Sequence, residues 1–304
     1  MNVTAQPIPR DRECLLRPGN TNCGGCGMSI GLNMLDRALT DAGESCSLVI
    51  PACCGIVTAG AFPTTSYGVP TIATTFASSP AVASGVASIR DLNNEPGQVI
   101  CWAGDGGTYD IGLGTLSAAA ERNENIIYIC YDNEIYGNTG GQRSSATPAG
   151  ARTSTTPWGK SERKKDIMSI MAAHRIPYAA TLSVAHPDDF ARKMSTALSL
   201  QGMRFLLLHS PCPTGWKSEP EDSVKLVRLA VASGLFPLYE VFDGSTYRIN
   251  IEPDGTDPAE YFHRQRRFVD DEIDLDTTRR ECEDRMQRLH ALAELYPPDN
   301  VNLP

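Results

Sequence analysis

The sequence predicts an α/β fold with a doubly wound, mainly parallel sheet. Short apolar runs such as SLVIP and QVICWAG alternate with segments whose apolar residues recur at helical spacing. Alternation of strands and helices along the chain is typical of parallel sheets with helices on both faces. In that architecture, ligands bind at the carboxyl ends of the strands. The loops that follow the apolar runs are therefore the places to look for chemistry.

The predicted elements follow one another without an internal repeat. Residues 29–42 have the one-sided apolar spacing of a helix, which Gly43 ends. SLVIPACCG is predicted to be a buried strand leading into a loop, residues 71–92 a closely packed helix, and QVICWAGDGG a second buried strand. The remaining predicted elements are a helix at 111–122, a strand at 125–132, a polar loop at 133–163, a helix at 164–174, the strand IPYAATLSV, a helix at 187–200 and the strand FLLLHSP.

The alternation fades after about residue 215. A polar stretch containing proline follows, and then a charged helical pattern over residues 270–295. We expect residues 1–214 to form the α/β domain and residues 215–304 to form a C-terminal arm that contacts the core or partner subunits.

Composition excludes some classes of function. The chain has 304 residues, a formal net charge of −9 and a pI near 5.1, and it has no basic stripe. These values argue against binding to nucleic acid or to an anionic membrane surface. Neither a signal peptide in MNVTAQPIPRDREC nor a run of about 18 apolar residues is evident, so we expect a cytoplasmic protein. The ten cysteines are then not expected to form structural disulfides.

The most informative stretch follows the second strand. Gly104, Gly106 and Gly107 let the backbone approach a bulky anion, and Asp105 offers a carboxylate oxygen suited to Mg²⁺. Asn133 follows the next strand and lies 28 positions after Asp105. Because Mg²⁺ takes few protein ligands and fills its shell with phosphate oxygens and water, these two strand ends predict a magnesium–diphosphate site.

The cysteine pair in GNTNCGGCG could bind zinc, form a redox disulfide or ligate an iron–sulfur cluster. A zinc ribbon would have a second closely spaced pair, and a thioredoxin-like disulfide would sit at a helix start after a strand. Further cysteines occur in VIPACCGI and HSPCPTGW, each at the end of an apolar strand. Four thiolates from such loops could enclose a [4Fe–4S] cluster.

These motifs together resemble a known family. The GDG and DN pair resembles the thiamine diphosphate motif, which implies that Asp105 and Asn133 bind Mg²⁺ through their side chains and Ile135 through its backbone. In order, CGGCG, IPACCG, CWAGDGG, YDNEIYGNTGGQRSSATP and PCPTGW resemble the β subunit of a 2-oxoacid:ferredoxin oxidoreductase, over roughly residues 14–240. The resemblance implies a thiamine diphosphate-binding fold. It further implies four cluster ligands, for which we choose Cys23, Cys26, Cys53 and Cys212, with Cys54 an alternative to Cys53.

The resemblance also implies an activity and partners. The activity is CoA-acylating oxidative decarboxylation of a 2-oxo acid by thiamine diphosphate, Mg²⁺ and a [4Fe–4S] cluster, with ferredoxin as acceptor or NAD through a flavin subunit. A pyrimidine-binding α subunit, a γ subunit and a ferredoxin-like δ subunit would complete the enzyme, and the glutamate that activates the cofactor would come from another subunit. Asn138 is expected to face the reacting end of the cofactor, and Thr139 to contact the cofactor.

Two departures from relatives bear on the substrate. Met28 stands where many relatives have Glu, and Ala77 where many have an acidic residue. Both make the neighbourhood less acidic and are compatible with an unusual acid such as phenylglyoxylate or oxalate, although pyruvate is the commonest substrate in the family. Two other interpretations stay open: a non-redox thiamine diphosphate decarboxylase or carboligase, and a zinc-stabilised scaffold subunit.

Overall fold

The computed structural model describes residues 14–59, 65–269 and 273–296. Nearly all of the N-terminal stretch used above to argue against a signal peptide lies outside these residues. Within them the strands form an eight-stranded sheet in the order β2-β1-β3-β4-β6-β5-β7-β8. The strands are β1 Cys46–Ile50, β2 Thr71–Ala73, β3 Gln98–Gly104, β4 Ile127–Asp132, β5 Tyr178–Ser183, β6 Arg204–His209, β7 Leu238–Phe242 and β8 Thr246–Ile251.

Helices connect the strands and cover both faces of the sheet. The α-helices are α1 Gly27–Ala42, α2 Cys54–Val57, α3 Ser79–Asn93, α4 Leu113–Glu121, α5 Ile167–Ala173, α6 Pro187–Ser199, α7 Pro213–Trp216, α8 Ser223–Ala232, α9 Ala259–Phe262 and α10 Leu275–Leu295. A π-helical turn at Gly106–Asp110 precedes α4, and a 3-10 turn at Pro220–Asp222 precedes α8. None of the helices in the described segments is long and apolar enough to cross a membrane.

The strands β1 to β6 run parallel, as expected from the alternation. The chain passes from β1 to β2 on one side and then, through α3, to β3 on the other side of β1. The strand order therefore reverses between β1 and β3. Such a switch point opens a crevice at the carboxyl ends of the two strands, where α/β proteins bind ligands. The cysteine loop after β1 and the GDG loop after β3 meet at this crevice.

The core lies on both faces of the sheet because side chains alternate along each strand. In β3, Val99, Cys101 and Ala103 belong to one buried cluster, whereas Ile100 and Trp102 belong to the other. The first cluster is covered mainly by α3, α4, α5, α8 and α10, and the second mainly by α1 and α6. Both faces of the sheet are therefore buried from solvent, which explains why the strand sequences are continuous apolar runs.

The C-terminal segment, predicted as an arm over residues 215–304, adds two strands to the sheet. Strand β7 pairs antiparallel with β5, β8 pairs antiparallel with β7, and α10 packs on β8. Residues 238–251 thus extend the sheet of the main domain. The local signal for this hairpin is Asp243-Gly244, where both residues have a positive φ, of 48° and 68°, as a tight hairpin turn requires.

Candidate functional site

The GDG loop forms a tight, buried cradle at the end of β3. Asp105 is only 2% exposed, and the Ser144 hydroxyl donates a hydrogen bond to its carboxylate. A Cβ atom at Gly106 would lie 2.2 Å from the Tyr136 ring, and one at Gly107 would lie 3.7 Å from the backbone oxygen of Phe76. Gly106 is therefore required for the loop after β4 to pack against the GDG turn.

Tyr136 holds these two loops together. Its hydroxyl donates a 2.9 Å hydrogen bond to Asp110 at the end of the π-helical turn, and its ring stacks on Phe76 at 5.9 Å. The same Asp110 carboxylate accepts a 3.1 Å hydrogen bond from the backbone N–H of Ser145. Asp110 thus ties two points of the loop after β4, Tyr136 and Ser145, to the turn that follows Asp105.

The predicted metal ligands on this second loop are also buried. Asn133 is 7% exposed, and its side-chain oxygen accepts a 3.2 Å hydrogen bond from the backbone N–H of Ile135. Glu134, between them, has a φ of 64°, which side chains other than glycine rarely adopt. The Thr147 hydroxyl donates a 2.7 Å hydrogen bond to the Glu134 carbonyl and so helps to hold this conformation.

Three buried carboxylates lie at these strand ends with two cations. The Lys164 ammonium is 2.7 Å from Asp132 and 2.9 Å from Glu134, and the Arg267 guanidinium is 2.6 Å from Glu134. Although burial opposes ionisation, Lys164 and Arg267 hold the pKa of Glu134 well below its usual range. The carboxylate of Asp105 has no such cation within ion-pair distance in the described residues.

The electrostatics of Asp105 fit a divalent cation. Burial, together with the neighbouring Asp132 carboxylate, raises the pKa of Asp105 well above its usual range. A carboxylate in such a position gains from a cation at its free oxygen, and Mg²⁺ prefers carboxylate, amide and carbonyl oxygens. The oxygen donors of these two loops, from Asp105, Asn133 and the carbonyl of Ile135, therefore fit Mg²⁺ chemically.

Two cysteine loops are brought together by the start of α1. The backbone N–H of Gly27 donates a 2.9 Å hydrogen bond to the carbonyl of Pro211, and a Cβ atom at Gly27 would lie 2.2 Å from the Pro211 ring. This contact places Cys26 next to the loop of Cys212. The Thr214 hydroxyl also lies 3.7 Å from the Cys23 sulfur.

The third cysteine loop distinguishes Cys53 from Cys54. A Cβ atom at Gly137 would lie 3.6 Å from the Cys54 sulfur and 4.0 Å from the Cys212 sulfur, so both sulfurs border Gly137. Cys53 has extended backbone before α2, and its buried thiol contacts the Tyr131 hydroxyl instead. The expected choice of Cys53 is therefore at odds with the direction of its side chain, which faces the core behind the loop.

Burial and neighbouring thiols raise the pKa values of Cys26, Cys54 and Cys212. Burial, together with the nearby Cys212, Cys53 and Cys26, raises the pKa of the Cys54 thiol to about 12. Burial likewise raises the pKa of Cys212 to about 11, with contributions from Cys26 and Cys23 and an opposing one from the Gly215 N–H. Four thiols, those of Cys23, Cys26, Cys54 and Cys212, thus face one another across three loops.

In the described part of the chain, no three His, Cys, Asp or Glu side chains converge on one point as ligands of a single metal ion. A four-iron cluster makes a different demand, because each of its four thiolates binds a different iron atom. Thiols that surround a common space from separate loops are the arrangement such a cluster requires.

Direct contacts join the cysteine loops to the loop after β4 that carries Asn133 and Ile135, which we call the metal loop. The Trp216 indole N–H donates a 2.8 Å hydrogen bond to the carbonyl of Asn133. A Cβ atom at Gly215 would lie 2.8 Å from the Ile135 side chain, so this glycine permits the close approach. The Arg267 guanidinium lies 4.5 Å from the centre of the Trp216 ring. The two candidate sites are therefore one packed unit.

The remaining predicted residues lie at the surface of this unit. Asn138 is exposed, and its side-chain oxygen is 3.8 Å from the Cys54 sulfur. Thr139 is exposed, and its hydroxyl donates a 2.5 Å hydrogen bond to the Gln142 side chain within the same turn. Met28 is buried in the core, whereas Ala77 lies near the GDG loop, where its carbonyl accepts a hydrogen bond from Thr115.

Sequence reasoning missed several residues that shape the site. Asp132 and Glu134 flank the predicted ligand Asn133, so the DNE triplet was a usable signal. Lys164 and Arg267 are 30 and 133 positions away from Glu134, and no local pattern links them to it. Only the packing of the C-terminal segment brings Arg267 to the metal loop.

Residues 53–209 match the family model described as the thiamine pyrophosphate enzyme, C-terminal TPP binding domain. The chain is 42% identical to the ketoisovalerate oxidoreductase subunit VorB of Pyrococcus horikoshii over 91% of this chain and 93% of that protein. It is 44% identical to the pyruvate synthase subunit PorB of Methanothermobacter marburgensis over 84% of this chain and 90% of that protein.

A solved structure has the same fold. It is described as 2-oxoglutarate:ferredoxin oxidoreductase from Magnetococcus marinus with 2-oxoglutarate, coenzyme A and succinyl-CoA bound. The TM-score is 0.59 and the identity 24%, with 72% of this chain and 81% of that chain covered.

Proposed function

The chain belongs to the family of β subunits of 2-oxoacid:ferredoxin oxidoreductases, and from this premise we propose that it holds thiamine diphosphate, Mg²⁺ and a [4Fe–4S] cluster side by side. Its substrate class is a small 2-oxo acid, which is oxidatively decarboxylated to an acyl-CoA. The observation that carries the proposal is the contact between the two loops, Trp216 to Asn133.

The strand ends of β3 and β4 support the magnesium–diphosphate site. Asp105 and Asn133 offer a carboxylate and an amide oxygen, and Ile135 its backbone carbonyl. Of the proposed cofactor-binding glycines Gly104, Gly106 and Gly107, Gly107 supports the close approach of a diphosphate to the backbone best, since a Cβ atom there would meet no atom closer than 3.6 Å, whereas Gly106 accommodates the Tyr136 ring. Bound there, the cofactor would supply an electron sink, which accepts the electron pair of the bond between the 2-oxo carbon and the carboxylate when that bond breaks.

The thiols of Cys23, Cys26, Cys54 and Cys212 are the proposed cluster ligands. Cys54 replaces Cys53 in this set because its sulfur borders Gly137 together with that of Cys212. Burial raises the pKa of Cys26, Cys54 and Cys212, so their isolated thiolates are unfavourable, and ligation to iron would stabilise the deprotonated form. Cys53 remains a packed core thiol.

The residues of this chain have distinct tasks in the proposed reaction. Lys164 and Arg267 pair with the buried carboxylates of Asp132 and Glu134, whereas that of Asp105 has no ion-pair partner among the described residues. Asn138 lies in the loop after β4, and its side-chain oxygen is 3.8 Å from the Cys54 sulfur, which supports a contact with cofactor or substrate between the two sites. Exposure of Asn138 leaves room for a partner subunit to close the site.

Partner subunits complete the enzyme in this proposal. The relatives are themselves named as subunits. We expect a pyrimidine-binding α subunit, a γ subunit and a ferredoxin-like δ subunit, with ferredoxin as acceptor or NAD through a flavin subunit. The names of the relatives make pyruvate and ketoisovalerate the first acids to test. Ala77 beside the GDG loop keeps phenylglyoxylate and oxalate in the test set.

The visible spectrum of the anaerobically purified native complex tests the proposal. Each acid is added singly with coenzyme A, and we expect one of them to bleach a broad iron–sulfur absorption. A complex without this absorption but with bound thiamine diphosphate would favour the non-redox enzyme, and stoichiometric zinc without thiamine diphosphate would favour the scaffold. Either result would overturn the proposal.

A pair of variants tests the cysteine assignment. Cys54→Ser is expected to lower the iron content and the visible absorption of the complex. Cys53→Ser, a change of the same size one residue away, is expected to retain both. The reverse pattern would return the assignment to Cys53.

A further inference from the structure

A cavity lies between α10 and the face of the sheet formed by β5, β6 and β7. Its volume is about 430 Å³, within the range of small-molecule pockets. Leu207, Phe236 and Leu289 contribute apolar walls. Glu134 and Lys164 also border it, so one end of the cavity lies behind the metal loop.

A buried histidine lines this cavity without a polar partner. His209 is 2% exposed, and neither of its ring nitrogens has a hydrogen-bond partner among the described residues. Its ring stacks on Phe236 at 4.6 Å and lies 5.4 Å from Trp216. A buried polar group without a partner is destabilising, so a ligand that hydrogen-bonds to this imidazole would remove that penalty.

A cationic side chain, that of Arg288, lies at the exposed side of the same cavity. Arg288 on α10 lines the cavity and is exposed. Other arginines of the lining are engaged: Arg285 donates 3.0 Å hydrogen bonds to the carbonyls of Gly234 and Leu235, and Arg163 is 2.9 Å from Glu281. Arg288 has neither a hydrogen bond nor an ion pair within the segments that the structure describes.

We propose that this cavity binds an amphipathic carboxylic acid with a hydrogen-bonding group on its apolar part. The carboxylate pairs with Arg288 at the mouth. The apolar part packs between Phe236 and Leu289. The hydroxyl or carbonyl group at its far end hydrogen-bonds to His209. This site is independent of the proposed cofactor chemistry, because none of these three contacts involves a proposed ligand of the metal or the cluster.

Binding of 3-(4-hydroxyphenyl)propionate to the purified complex, measured by calorimetry, tests the proposal. Two comparison compounds each lack one polar group: 3-phenylpropionate lacks the hydroxyl, and 4-hydroxyphenethyl alcohol lacks the carboxylate. We expect each to bind at least about tenfold more weakly, since a lost polar contact of 1.4 kcal/mol corresponds to a factor of ten. Equal affinity of the three compounds, or no binding of any, would contradict the proposal.

Variants locate the binding. Arg288→Met is expected to weaken the probe about tenfold, whereas Arg280→Met, on the same helix but outside the cavity, leaves it unchanged. His209→Phe is expected to abolish the preference for the hydroxyl compound over 3-phenylpropionate. Full binding to the Arg288→Met complex would locate the compound elsewhere and overturn the proposal, even if His209→Phe failed to fold.

Discussion

The indole N–H of Trp216 donates a 2.8 Å hydrogen bond to the backbone carbonyl of Asn133. Trp216 lies four residues after Cys212, and Asn133 is the proposed amide ligand of Mg²⁺. The bond therefore links the backbone of one candidate site to a side chain from the loop of the other.

Trp216→Phe is expected to weaken thiamine diphosphate binding. The phenyl ring keeps most of the packing, but the buried carbonyl of Asn133 loses its donor at a cost of about 1–3 kcal/mol. The dissociation constant of the cofactor, measured by calorimetry in the presence of Mg²⁺ on the complex first freed of bound cofactor, should rise by roughly an order of magnitude. Trp158→Phe, at a side chain that is 86% exposed, is the control and should leave it unchanged. Equal effects would show that the bond has no special role.

Asp105→Asn is expected to abolish magnesium-dependent retention of thiamine diphosphate. The change keeps the shape of the side chain but removes the negative charge that Mg²⁺ requires. Cofactor retained after gel filtration can be measured with and without added Mg²⁺. Asp188→Asn on the exposed side of α6 makes the same change of charge outside the site. Retention by Asp105→Asn equal to that of the control would refute the assignment of Asp105.

Gly27→Ala is expected to lower iron content. Its Cβ atom would approach the Pro211 ring to 2.2 Å, which forces α1 away from the loop of Cys212. Gly85→Ala, also within a helix, meets no atom within 4 Å and should instead stabilise the chain by up to about 1 kcal/mol. Iron per complex and the midpoint of thermal unfolding, measured for both variants, separate the two effects. Normal iron content in Gly27→Ala would show that the loop contact is not needed for the cluster.

His209→Phe is expected to reduce the acid sensitivity of the fold. Burial lowers the pKa of His209 to about 3, although Glu134 opposes this and Lys164 and Arg267 reinforce it. Between pH 3 and its usual value near 6.5 the unfolded chain binds the proton and the folded chain does not. The contribution of neutral His209 to the free energy of unfolding is thus fully present above pH 6.5. It is lost as the pH falls from 6.5 towards 3, by up to about 4 kcal/mol near pH 3.

Urea unfolding of the wild-type and His209→Phe complexes at pH 7 and pH 4.5 measures this pH-dependent contribution of His209 to stability. The loss of unfolding free energy between the two pH values should be smaller in the variant. An identical loss in both proteins would mean that His209 is protonated without cost in the folded state.

Much of the site could be predicted locally. The alternation of apolar strands and helices predicts the parallel sheet because both faces of such a sheet are buried. The glycines around Asp105 and the position of Asn133 predict two loops at one edge, since parallel strands end on the same side. The hairpin of β7 and β8 was missed because its strands mix polar and apolar residues, and only the Asp243-Gly244 turn marks it.

The sequence by itself determined the parallel sheet, the edge at which its loops meet and the oxygen and sulfur chemistry they carry, because those depend on residue type and short-range periodicity. Only the tertiary structure decided which of Cys53 and Cys54 faces the other thiols. At the turn from β1 into α2, adjacent side chains point in different directions, and the packing of Cys53 against Tyr131 sets which one turns inward. It likewise decided that Arg267 balances Glu134, since a contact across 133 positions depends on how the whole C-terminal segment folds back onto the sheet.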